Sequence, residues 1–336
     1  MNFPATESRD RRREDAAIWA AEQLGLAQVD LQPVCGDASF RRYFRFHSGD
    51  RSVILMDAPR YRESSERFLD AGERLSRAGL KTPDVYAFDL DLGFGLLEDF
   101  GDVLYREILT PDTVDSLFPR LFDILEVQAK QVDPTGLPEY NEERLQMELD
   151  LLPDWYLAKH KHRELDAAEL SAWRDLCARL INSAQAQPQV FVHRDYHSRN
   201  LMVTEDGPGI LDFQDAMEGP LTYDLVSLLK DCYVKMSPEK VTELVAGFAH
   251  DARRLGVHDL GDEQYLRSFD LTGVQRHLKA AGIFARLNHR DGKSGYLADV
   301  PRTLSYIVDL APRYGELGWL VDFIDARVLP RLESTG

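Results

Sequence analysis

A chain of 336 residues with 44% hydrophobic and 29% charged residues has the composition of an ordinary soluble globule and exceeds the usual single core, so two lobes are expected. Its formal net charge of -17 argues against nucleic acid as the main partner and against anionic lipid, because both are held through basic surface. The opening stretch MNFPATESRDRRREDAAIWAAEQLG places charges where a signal peptide needs an apolar run, and no later run approaches membrane-spanning length; a cytoplasmic, monomeric protein without a membrane partner is expected.

In chain order, residues 11 to 25 read as an amphipathic helix, with Ile18, Trp19 and Leu24 among charges and Gly25 as its stop. The period then changes to that of strands. Leu31 to Pro33 leads into the tight loop Gly36-Asp37-Ala38-Ser39, then Tyr43-Phe44-Arg45-Phe46, a turn at Ser48-Gly49-Asp50, and the apolar run Ser52-Val53-Ile54-Leu55-Met56. Residues 63 to 78 read as helix, and Gly93 to Phe100 as a further strand ending in a linker. Beyond Gly101 the pattern is mostly helical: 111 to 131, 141 to 159, 167 to 185, 221 to 235, 238 to 255 and 262 to 290 carry helix-like apolar spacing. A short β-rich island interrupts them at Val190-Phe191-Val192, Leu201-Met202-Val203 and Gly209-Ile210-Leu211-Asp212-Phe213. Cys35, Cys177 and Cys232 lie far apart without C-x-x-C spacing, which suits reduced, buried thiols.

The chemistry-bearing residues are His193-Arg194-Asp195-Tyr196-His197-Ser198-Arg199-Asn200, followed by Asp212-Phe213-Gln214. Asp195, Asn200 and Asp212 sit beside short apolar strands, which puts them at strand ends facing a common cleft. Phosphoryl transfer needs such a set: a carboxylate to accept a hydroxyl proton and orient the attacking oxygen, and hard oxygen ligands for a metal that neutralises the phosphates.

The order H-R-D-x-x-x-x-N and then D-F is similar to the catalytic loop and metal motif of kinase-like folds. It resembles more closely the aminoglycoside phosphotransferase-like family, whose H-x-D-x-x-x-x-N loop precedes D-[FW] and is supported by a later Y-D-L, present here as Thr222-Tyr223-Asp224-Leu225. The strings VHRDYHSRNLM, LDFQDAMEGPLTYDLVSLLKDCYV and AGIFARLNHRDGK most resemble the bacterial anomeric kinases that phosphorylate N-acetylmuramate and N-acetylglucosamine at C1 during peptidoglycan recycling. The general resemblance runs from the Gly36 loop to about Arg302.

That resemblance implies an α+β, two-lobed protein-kinase-like fold. Residues 1–100 would form a small β-rich, nucleotide-binding lobe with the hinge at its end, and residues 101–336 a large helical lobe for catalysis and substrate. ATP and Mg²⁺ are the implied cofactors. Asp195 takes the role of base, Asn200 and Asp212 those of metal ligands, and His193 and Asp224 hold the catalytic loop in shape. The loop Gly36-Asp37-Ala38-Ser39-Phe40 would face the phosphates through its backbone N–H groups, and Glu98-Asp99-Phe100 would offer backbone to the adenine edge. One departure stands out: where protein kinases carry a phosphate-binding Lys, this chain has Met56, so Arg42 or Arg45, or metal and backbone alone, must serve.

The acceptor must be read from the second lobe. A polycationic aminoglycoside calls for clustered carboxylates, and N-acetylmuramate, with its lactyl carboxylate, for a cation. The basic segments Gln275 to Lys279 and Arg286 to Lys293, on a strongly acidic chain, favour an anionic or neutral amino sugar. Arg276 or Arg286 would meet a carboxylate, Asp231 would accept from hydroxyls, Trp155 would stack on a ring, and Gln214 and Asp215 would lie by the cleft. Two alternatives stay open: another small-molecule kinase of the same fold, acting on an aminoglycoside, choline, homoserine or another sugar, and a non-catalytic nucleotide-binding pseudokinase.

Overall fold

The computed structural model describes residues 10–34, 41–60, 65–310 and 313–328. Helix α1 (Arg11–Leu24) begins where Asp10 accepts the Arg13 N–H and stops at Gly25, whose φ of 64° is the left-handed cap that glycine adopts without strain. Strands β1 (Gln32–Val34), β2 (Arg42–Ser48), β3 (Arg51–Asp57), β4 (Val85–Asp89) and β5 (Phe94–Glu98) form one antiparallel sheet in the order β1-β2-β3-β5-β4. Strand alternation gives this sheet two faces. Phe44, Phe46, Val53, Leu55, Phe94 and Leu96 pack against Ala16, Trp19 and Ala20 of α1 as a small core of their own. On the other face Tyr43, Ile54, Met56 and Leu97 join the main core, with Phe68 and Leu75 of helix α2 (Ser65–Arg77). Met56, at the position where a phosphate-binding Lys was expected, is fully buried and packs there.

The rest of the chain is mainly helical: α3 (Tyr105–Ile108), α4 (Val114–Gln131), α5 (Glu142–Leu149), α6 (Ala167–Gln185), α7 (Tyr223–Leu229), α8 (Pro238–Arg254), α9 (Asp262–Asp291), α10 (Val300–Val308) and α11 (Gly318–Phe323). Between α6 and α7 lie two two-stranded pairs, β6 (Gln189–Val192) with β9 (Met217–Pro220) and β7 (Leu201–Thr204) with β8 (Gly207–Ile210). A β-sheet part followed by a helical part makes the chain α+β, as expected. No helix among the described residues is long and apolar enough to cross a membrane.

Several expected boundaries move, each for a local reason. The helix expected over 141 to 159 is α5 followed by wider π-helical turns over Leu152–His160, because Pro153 has no N–H to continue the ladder. The helix expected over 221 to 235 ends at Leu229, beyond which the Asp231 carboxylate accepts the Tyr233 N–H and bends the chain away. Strand β4 was not anticipated; it is an edge strand with Val85 and Tyr86 exposed, so no buried alternation marks it.

Helix α9 runs through the main core and packs against α5, α6, α7, α8 and α10. At Gly282 it approaches the backbone at the start of the π-helical turns so closely that an added Cβ would lie 2.4 Å from the Leu151 carbonyl carbon. Gly282→Ala is therefore expected to destabilise the protein by about 1–3 kcal/mol through overpacking, read as a lower urea midpoint at unchanged m-value. Gly292→Ala, which meets nothing within 4 Å but sits at φ +70°, separates this steric effect from a purely backbone one.

Candidate active site

The loop 193–200 joins β6 to β7, and residues 211–216 join β8 to β9, so two strand pairs deliver both segments to one place. Helix α7 holds the first loop from behind. Asp224 accepts the His193 N–H at 2.6 Å, the Arg194 N–H at 2.9 Å and the Gln128 side-chain amide. Asp231, just past the other end of α7, accepts the Ser198 N–H at 3.0 Å and its hydroxyl at 2.5 Å. Burial raises the Asp224 carboxyl above its ordinary range even with these donors around it. The chain therefore spends two buried carboxylates on fixing eight residues.

Within the loop, His193 is fully buried; its Nε2 lies 2.9 Å from the Leu211 carbonyl and its Nδ1 3.3 Å from the Asp195 N–H. A carbonyl can only accept, so Nε2 carries the proton and Nδ1 accepts, a neutral ring that ties the two segments together. Arg194 takes a left-handed φ of 77°, rare for a side chain of that size. Its guanidinium bonds to the buried Glu148 and its carbonyl accepts from the Ser227 hydroxyl at 3.1 Å. Asp212 also has a positive φ, 63°, which an aspartate tolerates better than most residues; the expected strand accordingly ends at Ile210.

These turns bring Asp195, Asn200 and Asp212 to the wall of a cleft of roughly 320 Å³. The Asn200 amide nitrogen donates to the Asp195 carbonyl at 3.0 Å and lies 3.5 Å from Asp212 Oδ2. The two carboxylates are pushed apart in acidity. Burial would raise Asp195, but Lys279, His197, Arg194 and Arg276 outweigh it and hold the carboxyl well below the ordinary range. Asp212 goes the other way, raised by burial and by the Asp195 charge against the 2.7 Å hydrogen bond from Gln214. Asp195 is thus a permanently ionised acceptor near neutrality, while Asp212 is a carboxylate short of positive charge.

The donor set fits a hard divalent cation. Asp212 and Asn200 offer a carboxylate and an amide, and among the described residues no cluster of three or more His, Cys, Asp or Glu could hold a metal unaided. One carboxylate and one neutral oxygen ligand, completed by nucleotide phosphates, is the usual way of binding Mg²⁺.

Gln214 and Asp215 line the cleft, and Gln214 Oε1 is buried without a hydrogen-bond partner. Arg276 lines it too. The structure corrects the other acceptor expectations. Both Asp231 oxygens serve the Ser198 and Tyr233 backbone, so it supports the loop from outside the cleft. Arg286 is half-buried and Trp155 packs against the main core; neither lines the cleft.

On the nucleotide side, Gly36, Asp37, Ala38, Ser39 and Phe40 lie outside the described residues. Arg42 is held by Asp57 at 2.6 Å and by Asp10, on the sheet face that carries α1, and does not reach the cleft. Arg45 is likewise paired, with Asp99 and Asp102, both at 2.6 Å. Arg41 lines the cleft instead and its charge acts on Asp212. Arg41 stands immediately before β2, one residue ahead of the expected Arg42. Glu98 is paired with Lys81 at 2.8 Å, Asp99 also accepts from Ser52 and the Gly101 N–H, and Phe100 packs over Gly209. Their side chains are thus spent on structure, and any ligand contact from this segment falls to its backbone.

The Asp99 carboxyl is partly desolvated, yet Arg45, Ser52 and Gly101 hold it below the ordinary range. A depressed native value contributes stability that is fully present above the unfolded value near pH 4 and fades as pH falls through the native one. Thermal melts taken from about pH 5 downward should therefore show the wild type losing Tm more steeply than Asp99→Asn, the two curves converging in acid.

Cleft residues that the sequence reading passed over are Arg41, His197, Arg199, Tyr233, Lys279 and Tyr296. Lys279 was findable, since it lies one turn from Arg276 on the same helix. Burial pushes the His197 imidazole below its ordinary range, and its ring meets Tyr233 edge-on at 5.5 Å. Arg199 lies 4.7 Å over Tyr233 and 5.9 Å over Tyr296.

Residues 30–262, the sheet and the whole of this loop system included, match the family described as phosphotransferase enzyme family. The chain belongs to that family. Among phosphotransferase relatives, it is 45% identical over 310 residues to the N-acetylmuramate/N-acetylglucosamine kinase of Pseudomonas aeruginosa, covering 90% of this chain and 91% of that one. It is 39% identical over 327 residues to the protein of the same name in Pseudomonas putida, covering 94% and 96%. In fold it is similar to an aminoglycoside phosphotransferase crystallised as a ternary complex with ADP and hygromycin B, with a TM-score of 0.58, 15% identity, and coverage of 86% and 97%. As a member of this family the chain is a kinase-fold phosphotransferase.

Proposed function

We propose that this phosphotransferase moves the γ-phosphoryl of ATP to the anomeric hydroxyl of N-acetylmuramate and N-acetylglucosamine, giving the sugar 1-phosphate. The observation that carries the reading is the 45% identity, over nine-tenths of both chains, to a kinase named for those two sugars. Residues 1–100 act as the nucleotide lobe, residues 98–100 as hinge, and residues 101–336 as the catalytic lobe, in the cytoplasm. Asp195 is the base: ionised and fixed by its backbone, it accepts the hydroxyl proton and aims the sugar oxygen at phosphorus. Asn200 and Asp212 would hold Mg²⁺, which supplies charge neutralisation on the phosphates. Arg41, beside Asp212, stands on the phosphate side in place of the missing Lys. Arg194 and His193 keep the loop at the angle this alignment needs.

An acceptor screen tests the reading. ADP release is followed with N-acetylmuramate, N-acetylglucosamine, choline, homoserine and an aminoglycoside, and ³¹P NMR identifies the phosphorylated position. The expected result is turnover with the two amino sugars and a 1-phosphate signal. Turnover confined to another acceptor, or nucleotide binding with no acceptor-dependent turnover, removes it.

A further inference from the structure

We propose that Arg276 reads the acceptor, its guanidinium receiving a carboxylate carried as a substituent on the sugar. The inference rests on the amino-sugar reading above and goes beyond it by assigning the discrimination between acidic and neutral acceptors to one residue.

Arg276 and Lys279 lie one turn apart on α9, 5% and 7% exposed, and both line the cleft. Their surroundings differ. Lys279 is answered by Glu148 at 3.5 Å and donates to the Tyr223 hydroxyl at 2.9 Å. Arg276 has no carboxylate at ion-pair distance among the described residues; its hydrogen-bond partner is the Cys232 thiol, at 3.8 Å, a weak acceptor. A buried guanidinium without a paired anion is costly, and a site open to a cleft resolves that cost when a ligand brings the anion in. Neighbouring Asp195 and Asp231 favour the charged form, but Asp231 is spent on Ser198 and Tyr233 and Asp195 is reserved for the attacking hydroxyl.

Two anions enter the cleft: the transferred phosphoryl and any acid on the acceptor. The charges of the site are sorted between them. Arg41 lines the cleft and acts on Asp212, the phosphate side, whereas Arg276 acts on Asp195, the acceptor side. Beyond Arg276 the same face of α9 continues as Ala280, Ile283, Phe284 and Leu287, an apolar wall suited to a sugar face and an acetamido methyl. N-acetylmuramate differs from N-acetylglucosamine by a lactyl ether that ends in a carboxylate, so Arg276 should matter more for the first sugar than for the second.

The test is kcat/KM for both sugars in the wild type, Arg276→Met, Arg276→Lys and, as a control outside the cleft, Arg286→Met. Losing a charge-assisted hydrogen bond predicts a fall of about 10- to 100-fold for N-acetylmuramate in Arg276→Met, mainly through KM. N-acetylglucosamine should fall clearly less, since no such bond is lost for it, so the ratio of the two sugars moves by about tenfold or more. Arg276→Lys should recover part of the loss, and Arg286→Met should leave the ratio of the two sugars unchanged. An equal loss on both sugars assigns Arg276 to the phosphoryl group and overturns the inference, as does no loss on either. Should Arg276→Met fail to fold by circular dichroism, the ratio is read in Arg276→Lys and against the methyl ester of N-acetylmuramate. The wild type must then prefer the free acid and the Lys variant must narrow that preference; an unmoved preference overturns the inference. A wild type active on neither sugar removes the amino-sugar reading and this inference with it, whereas activity on both sugars with an unmoved ratio removes the inference alone.

Discussion

Asp195→Asn is expected to lower turnover by about 10²–10⁴-fold, the range that general-base catalysis supplies, while nucleotide affinity stays near that of the wild type. The contrast follows from how the residue is held. The Asp195 N–H meets His193 Nδ1 and its carbonyl accepts from Asn200, and both contacts survive the substitution because they belong to the backbone. What is lost is the negative charge that Lys279, His197, Arg194 and Arg276 keep in place, and with it the ability to accept a proton. A coupled ADP assay gives the rate and calorimetric titration with a non-hydrolysable nucleotide gives the affinity. Retention of more than about a tenth of wild-type turnover would be too small a loss for a base and would take Asp195 out of that role.

Asp212→Asn is expected to be as severe for a different reason. The isosteric amide keeps the shape of the left-handed turn at φ 63°, a conformation asparagine also tolerates. It removes the formal charge needed to hold a divalent cation against the phosphates, a contribution of several kcal/mol and hence about 10³-fold or more in rate. Unlike Asp195→Asn, this variant should also lose the Mg²⁺ dependence of nucleotide binding. Titrations with and without Mg²⁺ make the distinction, and an unchanged Mg²⁺ response would show that the cation sits elsewhere. Burial already raises the Asp212 carboxyl, so the substitution removes a desolvated charge and should not lower Tm.

The candidate chemistry was legible in the sequence because it is nearly local. Asp195, Asn200 and Asp212 fall within one strand-loop-strand-loop run, and the order of residue types already carries the roles. The long helices were legible for the same kind of reason: α4, α6, α8 and α9 each repeat an apolar face over several turns. What could not be read depends on which side of an element faces the cleft, or on partners far along the chain. Arg42 and Arg41 differ by one residue, yet only Arg41 lines the cleft. Asp231 carries the right functional group for a sugar hydroxyl, but Ser198, 33 residues earlier, takes it. Tyr233 and Tyr296 meet around Arg199 only after α9 and the turns that follow it have packed, and no spacing rule announces that. Met56 is the converse case: the missing charge was visible at once, and the structure adds that the position has become core.

Helix α7, with Asp224 at one end and Asp231 just past the other, has a kinetic consequence. Ordering a backbone segment costs about 1–2 kcal/mol per residue in conformational entropy, so a loop of eight residues left free would have to find its reactive arrangement against a penalty of about 8–16 kcal/mol. Here the two carboxylates settle that penalty when the chain folds, and no part of it recurs as each substrate arrives. The barrier to phosphoryl transfer is then set by the placing of the reactants and by charge, with the loop acting as fixed solvent around them.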